Sequence, residues 1–319
     1  MTDRKLRTAV LMGGIGGERE VSLKSGRAVA AALGKAGHEV IPYEVNEPDL
    51  SGLRRHRPDA VFVALHGAFG EDGTAQQMLD EMGLPYTGSG PQASRFGMNK
   101  LASKRLFIRH AVPTADYLTV EREQDAAVTA RQVAAFDYPV VCKPVAGGSS
   151  LGVSIVRRPS QLAEALREAR EHGDTTLVER YVRGREFTVG ILDGQAMPII
   201  ELVVQNEFFD YRAKYEDGST RYLTPVALLP TIYRKATDAA VRAYRALGCR
   251  HMARVDLLYG YDGTLSVLEV NTIPGFTPRS LLPMAAAEAG IEFPELCDRI
   301  VRAALRDAAT SGRRHRLSA

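Results

Sequence analysis

The stretch ARVDLLYGYDGTLSVLEVN, residues 253–271, reads as two β-strands joined by a tight turn. Val255, Leu257, Leu268 and Val270 alternate with Arg254, Asp256, Glu269 and Asn271. A period of two places the apolar set on one sheet face and the polar set on the other. Asp262-Gly263 is a two-residue hairpin signal. With that pair as the loop, Asp256 falls directly opposite Glu269, and Arg254 opposite Asn271. Opposed carboxylates cost roughly 0.2–1 kcal/mol unless something positive lies between them. Two carboxylates and an amide oxygen form an all-oxygen set suited to magnesium shared with phosphate groups. The competing reading is a solvated face with a local arginine–carboxylate network. The next residues favour the cation: Asn271 runs into Thr272-Ile273-Pro274-Gly275-Phe276-Thr277, a turn whose N–H groups can face an anion.

Upstream, the apolar run Val140–Lys143 leads through Pro144 into Gly147-Gly148-Ser149-Ser150-Leu151-Gly152, and a second strand follows. Glycines let the backbone approach a ligand, the serines add hydroxyl donors, and Lys143 supplies a point charge for phosphate. An ordinary hairpin with a surface lysine is the alternative. A Walker loop is excluded, because its G-x-x-x-x-G-K-[ST] pattern is absent. Gly88-Ser89-Gly90-Pro91-Gln92-Ala93 fits the dinucleotide pattern G-x-G-x-x-A only weakly: a short strand precedes it, and no acidic residue ends a strand at the required distance.

Nearer the start, Thr8–Met12 reads as a buried strand, Gly13–Gly17 as a loop, and Val21–Ala36 as a helix stopped by Gly37. Strands His38–Tyr43 and Ala60–Leu65 and a helix Thr74–Met82 continue a βαβ pattern, which predicts an open parallel sheet. Ligands of such sheets bind at the carboxyl ends of the strands. Glu18 and His66 sit there, Glu18 placed to hold an ammonium group. The plainer alternatives are a helix-start acid and a structural histidine.

The pattern changes near residue 95. Helices are expected at Asn99–His110, Gln161–Glu171 and Lys235–Leu247, strands at Gly152–Val156, Thr176–Val182 and from Glu186 onward. Gln205–Tyr222 is polar and aromatic, as a lid would be. The fold class is α/β, α+β overall, in three parts: an open parallel-sheet domain at 1–95, a central α+β domain at 96–184, and a sheet-rich domain at 185–319 with a lid at 205–222. The 319 residues are 45% hydrophobic and 25% charged, enough for several cores. A net charge of +3, part of it in the tail at Arg313, Arg314, His315 and Arg316, argues against a nucleic-acid or membrane partner. No long apolar segment predicts a signal or a membrane span. Cys142, Cys249 and Cys297 are too scattered for a metal knuckle or disulfide framework, which points to a reducing cytoplasm.

Taken in order, GGIGGEREVSLKSG at 13–26, ALHGAFGEDGT at 64–74, GLPYTGSG at 83–90, KP and GGSSLGVS at 143–154, EFTVGIL at 186–192, DYRAKY at 210–215, and ARVDLL with LEVNTIPGFTPRSL ending at Leu281 resemble the D-alanine–D-alanine ligase family. The resemblance runs from about Ala9 to about Leu296. It implies an ATP-grasp fold and ATP-dependent joining of two D-alanines through an acyl phosphate, for peptidoglycan synthesis. Lys100, Lys143 and Ser150 would contact ATP phosphates, with Glu179, Tyr181, Val182 and Glu186 at the adenosine. Asp256, Glu269 and Asn271 would hold two Mg2+ ions, replaceable by Mn2+, and a monovalent cation such as K+ is compatible. Lys214 would reach the transferred phosphate. Arg254 and the Gly275 N–H would stabilise the tetrahedral intermediate. Glu18 would bind the first ammonium with His66 nearby, and Ser280 and the Leu281 backbone the second carboxylate. Glu18, Ser149 and Tyr215 would form a hydrogen-bonded set that closes the site. A cytoplasmic homodimer is implied as well.

Four positions depart from the family pattern. Gly16 replaces a usual serine, Arg279 a frequent histidine, and Ile273 and Phe276 smaller or sulfur-containing residues. The nearest competitor is a relative that uses D-serine or D-lactate as second substrate, which the sequence around Tyr215 discriminates. A regulatory protein that has lost catalysis would show decayed acid and lysine positions, and here they are intact.

Overall fold

The computed structural model describes residues 4–148, 151–203 and 220–310. Three sheets follow one another along the chain. In the first, β1 (Arg7–Gly13) lies between β2 (Glu39–Val45) and β3 (Ala60–Val63), all parallel, and Tyr86 adds a parallel bridge to Val61. Almost every residue of β1 is buried, as a strand covered on both faces requires. Val10 and Met12 face α1 (Arg19–Lys35), and Ala9 and Leu11 face α2 (Thr74–Met82) with Leu50 and Leu53. The expected helix thus starts two residues earlier, and Gly37, at φ +88°, ends it.

Next come α3 (Pro91–Met98) and α4 (Lys100–Arg109). The weak dinucleotide match falls at the start of α3: Gly90 caps it, Pro91 opens it, and the Gly88 N–H is donated to a histidine ring. The second sheet is antiparallel. It comprises β4 (Tyr117–Glu121), β5 (Val140–Pro144), β6 (Ser154–Val156) and β7 (Thr175–Arg180), in the order β4-β7-β5-β6. Helices α5 (Ala126–Ala134) and α6 (Leu162–Arg170) accompany it, α5 capped by Asp125.

The third sheet is also antiparallel, in the order β10-β9-β8-β11-β12: β8 (Gly184–Leu192), β9 (Gln195–Val203), β10 (Arg221–Leu223), β11 (Met252–Gly260) and β12 (Leu265–Asn271). Helix α7 (Pro230–Ala246) covers one face. It starts a turn before the expected Lys235, because Pro230 is accommodated at a first helical position. Its fully buried Ala236, Ala239, Ala240 and Ala243 lie at helical spacing and let it approach the strands.

The β11–β12 hairpin departs from the two-residue turn. The Gly260 N–H bonds to the Thr264 carbonyl and Gly263 sits at φ +86°, so the loop holds three residues, Tyr261–Gly263. A bulge then shifts the register: Leu257 pairs with Val267, while Asp256 still faces Glu269 and Arg254 still faces Asn271. The extra loop residue and the bulge cancel. Leu268 is therefore not part of the apolar face; Val267 is fully buried in its place, and Leu268 turns toward a cavity.

After α8 (Leu281–Glu288), the chain returns to the first sheet as α9 (Phe293–Thr310), burying Leu296, Ile300 and Val301 beside Val10 and Leu33. Two buried histidines clip α9 from opposite ends. His38 Nδ1 accepts the Leu6 N–H and its Nε2 meets Asp298 at 2.7 Å. His251 Nδ1 accepts the Gly88 N–H and its Nε2 meets Asp307 at 2.9 Å. In both rings Nδ1 is an acceptor, so Nε2 carries the proton and donates to the carboxylate.

Burial, helped by Arg250 and opposed by Asp307, pushes the His251 pKa down to about 4. An unfolded chain titrates its histidines near 6.5 and so binds more protons between those values. The group's contribution is therefore complete above about pH 6.5 and is lost as pH falls towards 4, at up to about 1.4 kcal/mol per pH unit. His251→Asn keeps an acceptor and tolerates the residue's φ of +59°. In urea unfolding between pH 7.5 and 4.5 this variant should lose stability less steeply than the parent; equal slopes would refute the account.

Candidate active site

Two cavities adjoin the hairpin, one of about 750 Å³ beside the first sheet and one of about 470 Å³ between the second and third sheets. Glu269 and Gly148 line both, so the cavities meet there.

Asp256, which lines the smaller cavity, accepts from the Thr188 hydroxyl at 2.6 Å and, through both oxygens at 2.9 and 2.7 Å, from Nε and Nη2 of Arg254 in the wall of the larger one. Asp256 is 8% exposed, and this arginine offsets the repulsion that Glu269 would otherwise exert across the rung. Asn271 Oδ1 accepts the Ile273 N–H at 3.0 Å, which fixes the start of the turn that follows. Among the described residues no cluster of three His, Cys, Asp or Glu side chains forms a metal cage. Two carboxylates and one amide in register fit instead a hard cation completed by phosphate oxygens and water. Of the two alternatives read in the sequence, the arginine–carboxylate pair is formed, and it uses Asp256, one of the carboxylates expected at the cation.

The larger cavity gathers Glu18, His66, Gly275, Ser280 and Leu281. Glu18 precedes α1, and its carboxylate crosses to Gly67, where a Cβ would stand 2.7 Å from Oε2. Gly67 is also at φ +72°, so glycine serves both geometry and space. Arg19 fastens the glycine loop by donating to the carbonyls of Gly14 and Val45, each at 2.9 Å, and pairs with Glu44. Ser280 precedes α8 and its hydroxyl accepts the Thr277 N–H at 3.0 Å. Of the unusual positions, Arg279 is exposed at the cavity wall, and a side chain at Gly16 would meet nothing within 4 Å. Ile273 and Phe276 are buried anchors, Phe276 with its ring 5.3 Å from that of Phe62.

The smaller cavity brings together Lys100, Lys143, Glu179, Tyr181, Val182 and Glu186. Lys100 Nζ donates to the Gly147 carbonyl at 2.6 Å and so ties α4 to the glycine-serine loop. Glu179 is 3% exposed and lies between two ammonium groups, Lys143 at 2.9 Å and Lys104 at 3.1 Å. Burial alone would raise its pKa; Lys143 and then Lys104 overcome this and hold it below the ordinary value. Burial in turn lowers Lys104 to about 8, against the pull of Glu179. Arg185 grips Glu201 through two bonds of 2.7 and 2.6 Å at the cavity edge.

Ser149, Ser150, Lys214 and Tyr215 lie outside the described residues, as does most of the expected lid, 205–219 of 205–222. Its last residues form β10, from which Tyr222 lines the larger cavity.

The sequence reading missed several residues in or behind the cavity walls. Lys104 looked like one more charged position on a helix. Leu268 was assigned to the wrong face by the hidden bulge. Ser25 is one of two serines on the buried side of α1. Glu71 stands in the quoted stretch 64–74 but was given no role. It accepts the Gly67 N–H at 2.8 Å, and burial, then the neighbouring Glu18, pushes its pKa up to about 8.

Comparison with known proteins matches residues 50–89 to the family described as D-ala D-ala ligase N-terminus and residues 106–302 to D-ala D-ala ligase C-terminus. The chain is 45% identical over 295 residues to a D-alanine--D-alanine ligase of Anaeromyxobacter dehalogenans, covering 92% of this chain and 96% of that one. It is 46% identical over 298 residues to one of Gloeobacter violaceus, covering 93% and 98%. The crystal structure of the Bacillus anthracis D-alanine--D-alanine ligase complexed with ATP is similar at a TM-score of 0.85 and 34% identity, covering 96% of this chain and 100% of that one.

The Lys104–Glu179 contact yields a test independent of any substrate. Removing one partner of a buried ion pair costs about 3–5 kcal/mol. Since Lys143 remains on Glu179, Lys104→Met should fall at or just below the low end of that range in urea unfolding. A loss under about 1 kcal/mol would show that Lys143 alone satisfies Glu179.

Proposed function

We infer the reaction from one premise: the chain belongs to the D-alanine–D-alanine ligase family. The protein is an ATP-dependent ligase that joins two D-alanines into D-alanyl-D-alanine, the dipeptide of peptidoglycan synthesis. A relative using D-serine or D-lactate as second substrate is not favoured. The observation that best supports this use of the site is the meeting of the two cavities at Glu269 and Gly148, one lined by Lys100, Lys143 and Glu179 and the other by Glu18, Arg254 and Ser280.

The carboxylate of the first D-alanine attacks the terminal phosphorus of ATP, and ADP leaves. The amine of the second D-alanine then attacks the acyl phosphate. A C–N bond forms, the C–O bond to phosphate breaks and inorganic phosphate leaves, and the amine nitrogen gives up one proton to phosphate or water and keeps the other as the peptide N–H. We assign Glu18 to the first ammonium group, with His66 in the same wall. Ser280 and the Leu281 N–H, at the start of α8, suit the second carboxylate. Arg254 and the Gly275 N–H suit the negative oxygen of the tetrahedral intermediate. Lys100 and Lys143 suit the phosphates; Glu179, Tyr181, Val182 and Glu186 suit the adenosine. The roles of Ser149, Ser150, Lys214 and Tyr215 rest on the sequence resemblance.

Asp256, Glu269 and Asn271 would hold Mg2+, whose charge offsets that of the phosphates. Two such ions, replaceable by Mn2+, and a monovalent cation such as K+ belong to this proposal. So do the cytoplasmic location, the homodimer and the three-part division at residues 95 and 184. Among the described residues no helix is long and apolar enough to cross a membrane. An acyl phosphate must be kept from water, which gives the 205–222 stretch a purpose as a lid.

Phosphate release from ATP should require both D-alanine and Mg2+, with D-alanyl-D-alanine as product. Tyrosine at 215 is neutral at pH 7 and sets no charge barrier to an ammonium group. Given equal D-alanine and D-lactate as acceptors, the dipeptide should therefore dominate. A main product containing lactate, or phosphate release indifferent to D-alanine, would overturn the assignment.

Glu269→Gln removes one charge from the opposed pair while keeping its shape. It should lower turnover at least about 10–100-fold, the range seen even for outer partners of metal ligands, and leave the melting temperature close to the parent's. Normal turnover at saturating Mg2+ would exclude the metal role.

A further inference from the structure

The turn that presents the Gly275 N–H is held from behind. Phe276 donates its N–H to the Ser25 hydroxyl at 3.2 Å, and Ser25 Oγ lies 3.1 Å from His66 Nε2. His66 Nδ1 lies 3.1 Å from the Ile273 carbonyl. A carbonyl only accepts, so Nδ1 carries the ring proton. Burial keeps the ring neutral, with its pKa lowered to about 4 despite the Ile273 bond and with help from Arg254. Nε2 is therefore bare and accepts the Ser25 O–H. The bonds close a ring: Phe276 N–H to Ser25, Ser25 O–H to His66, His66 N–H to Ile273.

We propose that Ser25 is a positioning residue for ligation, which through His66 fixes the turn Ile273–Phe276 and so sets where the Gly275 N–H points. This rests on the reading that Gly275 receives the oxygen of the tetrahedral intermediate. The ring grips both ends of the turn and leaves Gly275 between them, facing the cavity. Its anchor is rigid. Ser25 is 1% exposed, and at the adjacent Gly26 a Cβ would stand 2.3 Å from the Met12 Cβ, so α1 is pressed onto β1 at this point. Ile273 is buried among Leu11 and Leu65, and Phe276 among Val10 and Phe62, so the turn straddles the first sheet. Only a group that donates and accepts at once can join the Phe276 N–H to a bare ring nitrogen, and a hydroxyl of serine size does so in the space available. Both nitrogens of His66 are engaged, which makes the ring a spacer in this arrangement.

The test compares Ser25→Ala, Ser25→Cys, His66→Asn and the Ser25→Ala/His66→Asn pair with the parent. Loss of an oxyanion donor costs about 10²–10³ in turnover; a loosened donor should cost a part of that, about 10–100-fold in kcat for Ser25→Ala. The KM for ATP should stay within about twofold, since nothing in the nucleotide cavity changes. The inhibition constant of a phosphinate analogue of the tetrahedral intermediate should weaken in parallel with kcat. Asparagine at 66 can still bond Ile273 but breaks the link to Ser25, so the double variant should be no worse than the worse single. Cysteine, a weaker donor and acceptor, should fall between serine and alanine, and it carries the test if the alanine variant does not fold. Unchanged kcat in the folded serine variants overturns the proposal, as does a fall in kcat with undiminished phosphinate binding. Formation of dipeptide by the parent tests the ligase reading separately.

Discussion

Strand β12 ends at Asn271 beside two cavities, and within five residues the chain has left the third sheet to bury Ile273 on one face of the first sheet and Phe276 on the other. The turn between those anchors has little freedom. Asn271 holds its entrance, Ser25 and His66 hold its back, and Ser280 holds its exit through Thr277. Most of what converges on the larger cavity is placed by this constraint. Glu18 and His66 arrive from the first sheet, Arg254 and Glu269 from the third, and the turn fixes the distance between the two sources. Such a site tolerates little error, since misplacement of a reacting group by about 1 Å can cost 10²-fold in rate.

Charge is managed by pairing at each level of the site. Glu179 is kept ionised in a dry wall by two lysines, although removing it from water would favour the neutral form. Asp256 is gripped by Arg254, leaving Glu269 as the carboxylate that faces both cavities. Such pairs add little net stability, because desolvation offsets attraction. Their effect is geometric: each holds a charged group at one place beside the cavities.

The hairpin shows how far the sequence could be read. Asp256 opposite Glu269 was legible from alternation and the Asp262-Gly263 signal, although the loop has three residues and a bulge. Two departures of one residue cancelled, so the polar rung came out right while Leu268 came out on the wrong face. The parallel order of the first sheet was legible because buried strands and glycine-capped helices leave strong local marks. Contacts between distant segments leave none. Lys104 against Glu179, Ser25 against Phe276 and His38 against Asp298 join residues of ordinary local appearance. Nothing in a helix pattern distinguishes a serine that faces packing atoms from one that faces a ring nitrogen 41 positions away.

The return of α9 to the first sheet has a consequence for how the chain is made. Val10, Leu33 and Phe62 leave the ribosome early, yet the side they share is covered by Ile300 and Val301, and His38 waits 260 residues for Asp298. During translation, at about 5–20 residues per second, that apolar face stays open for the time needed to synthesise the rest of the protein. The second sheet packs around its own core and can close as it emerges. The order of synthesis and the order of completion are thus opposed: the part of the molecule born first is finished last, and its exposed side is the one a chaperone would meet.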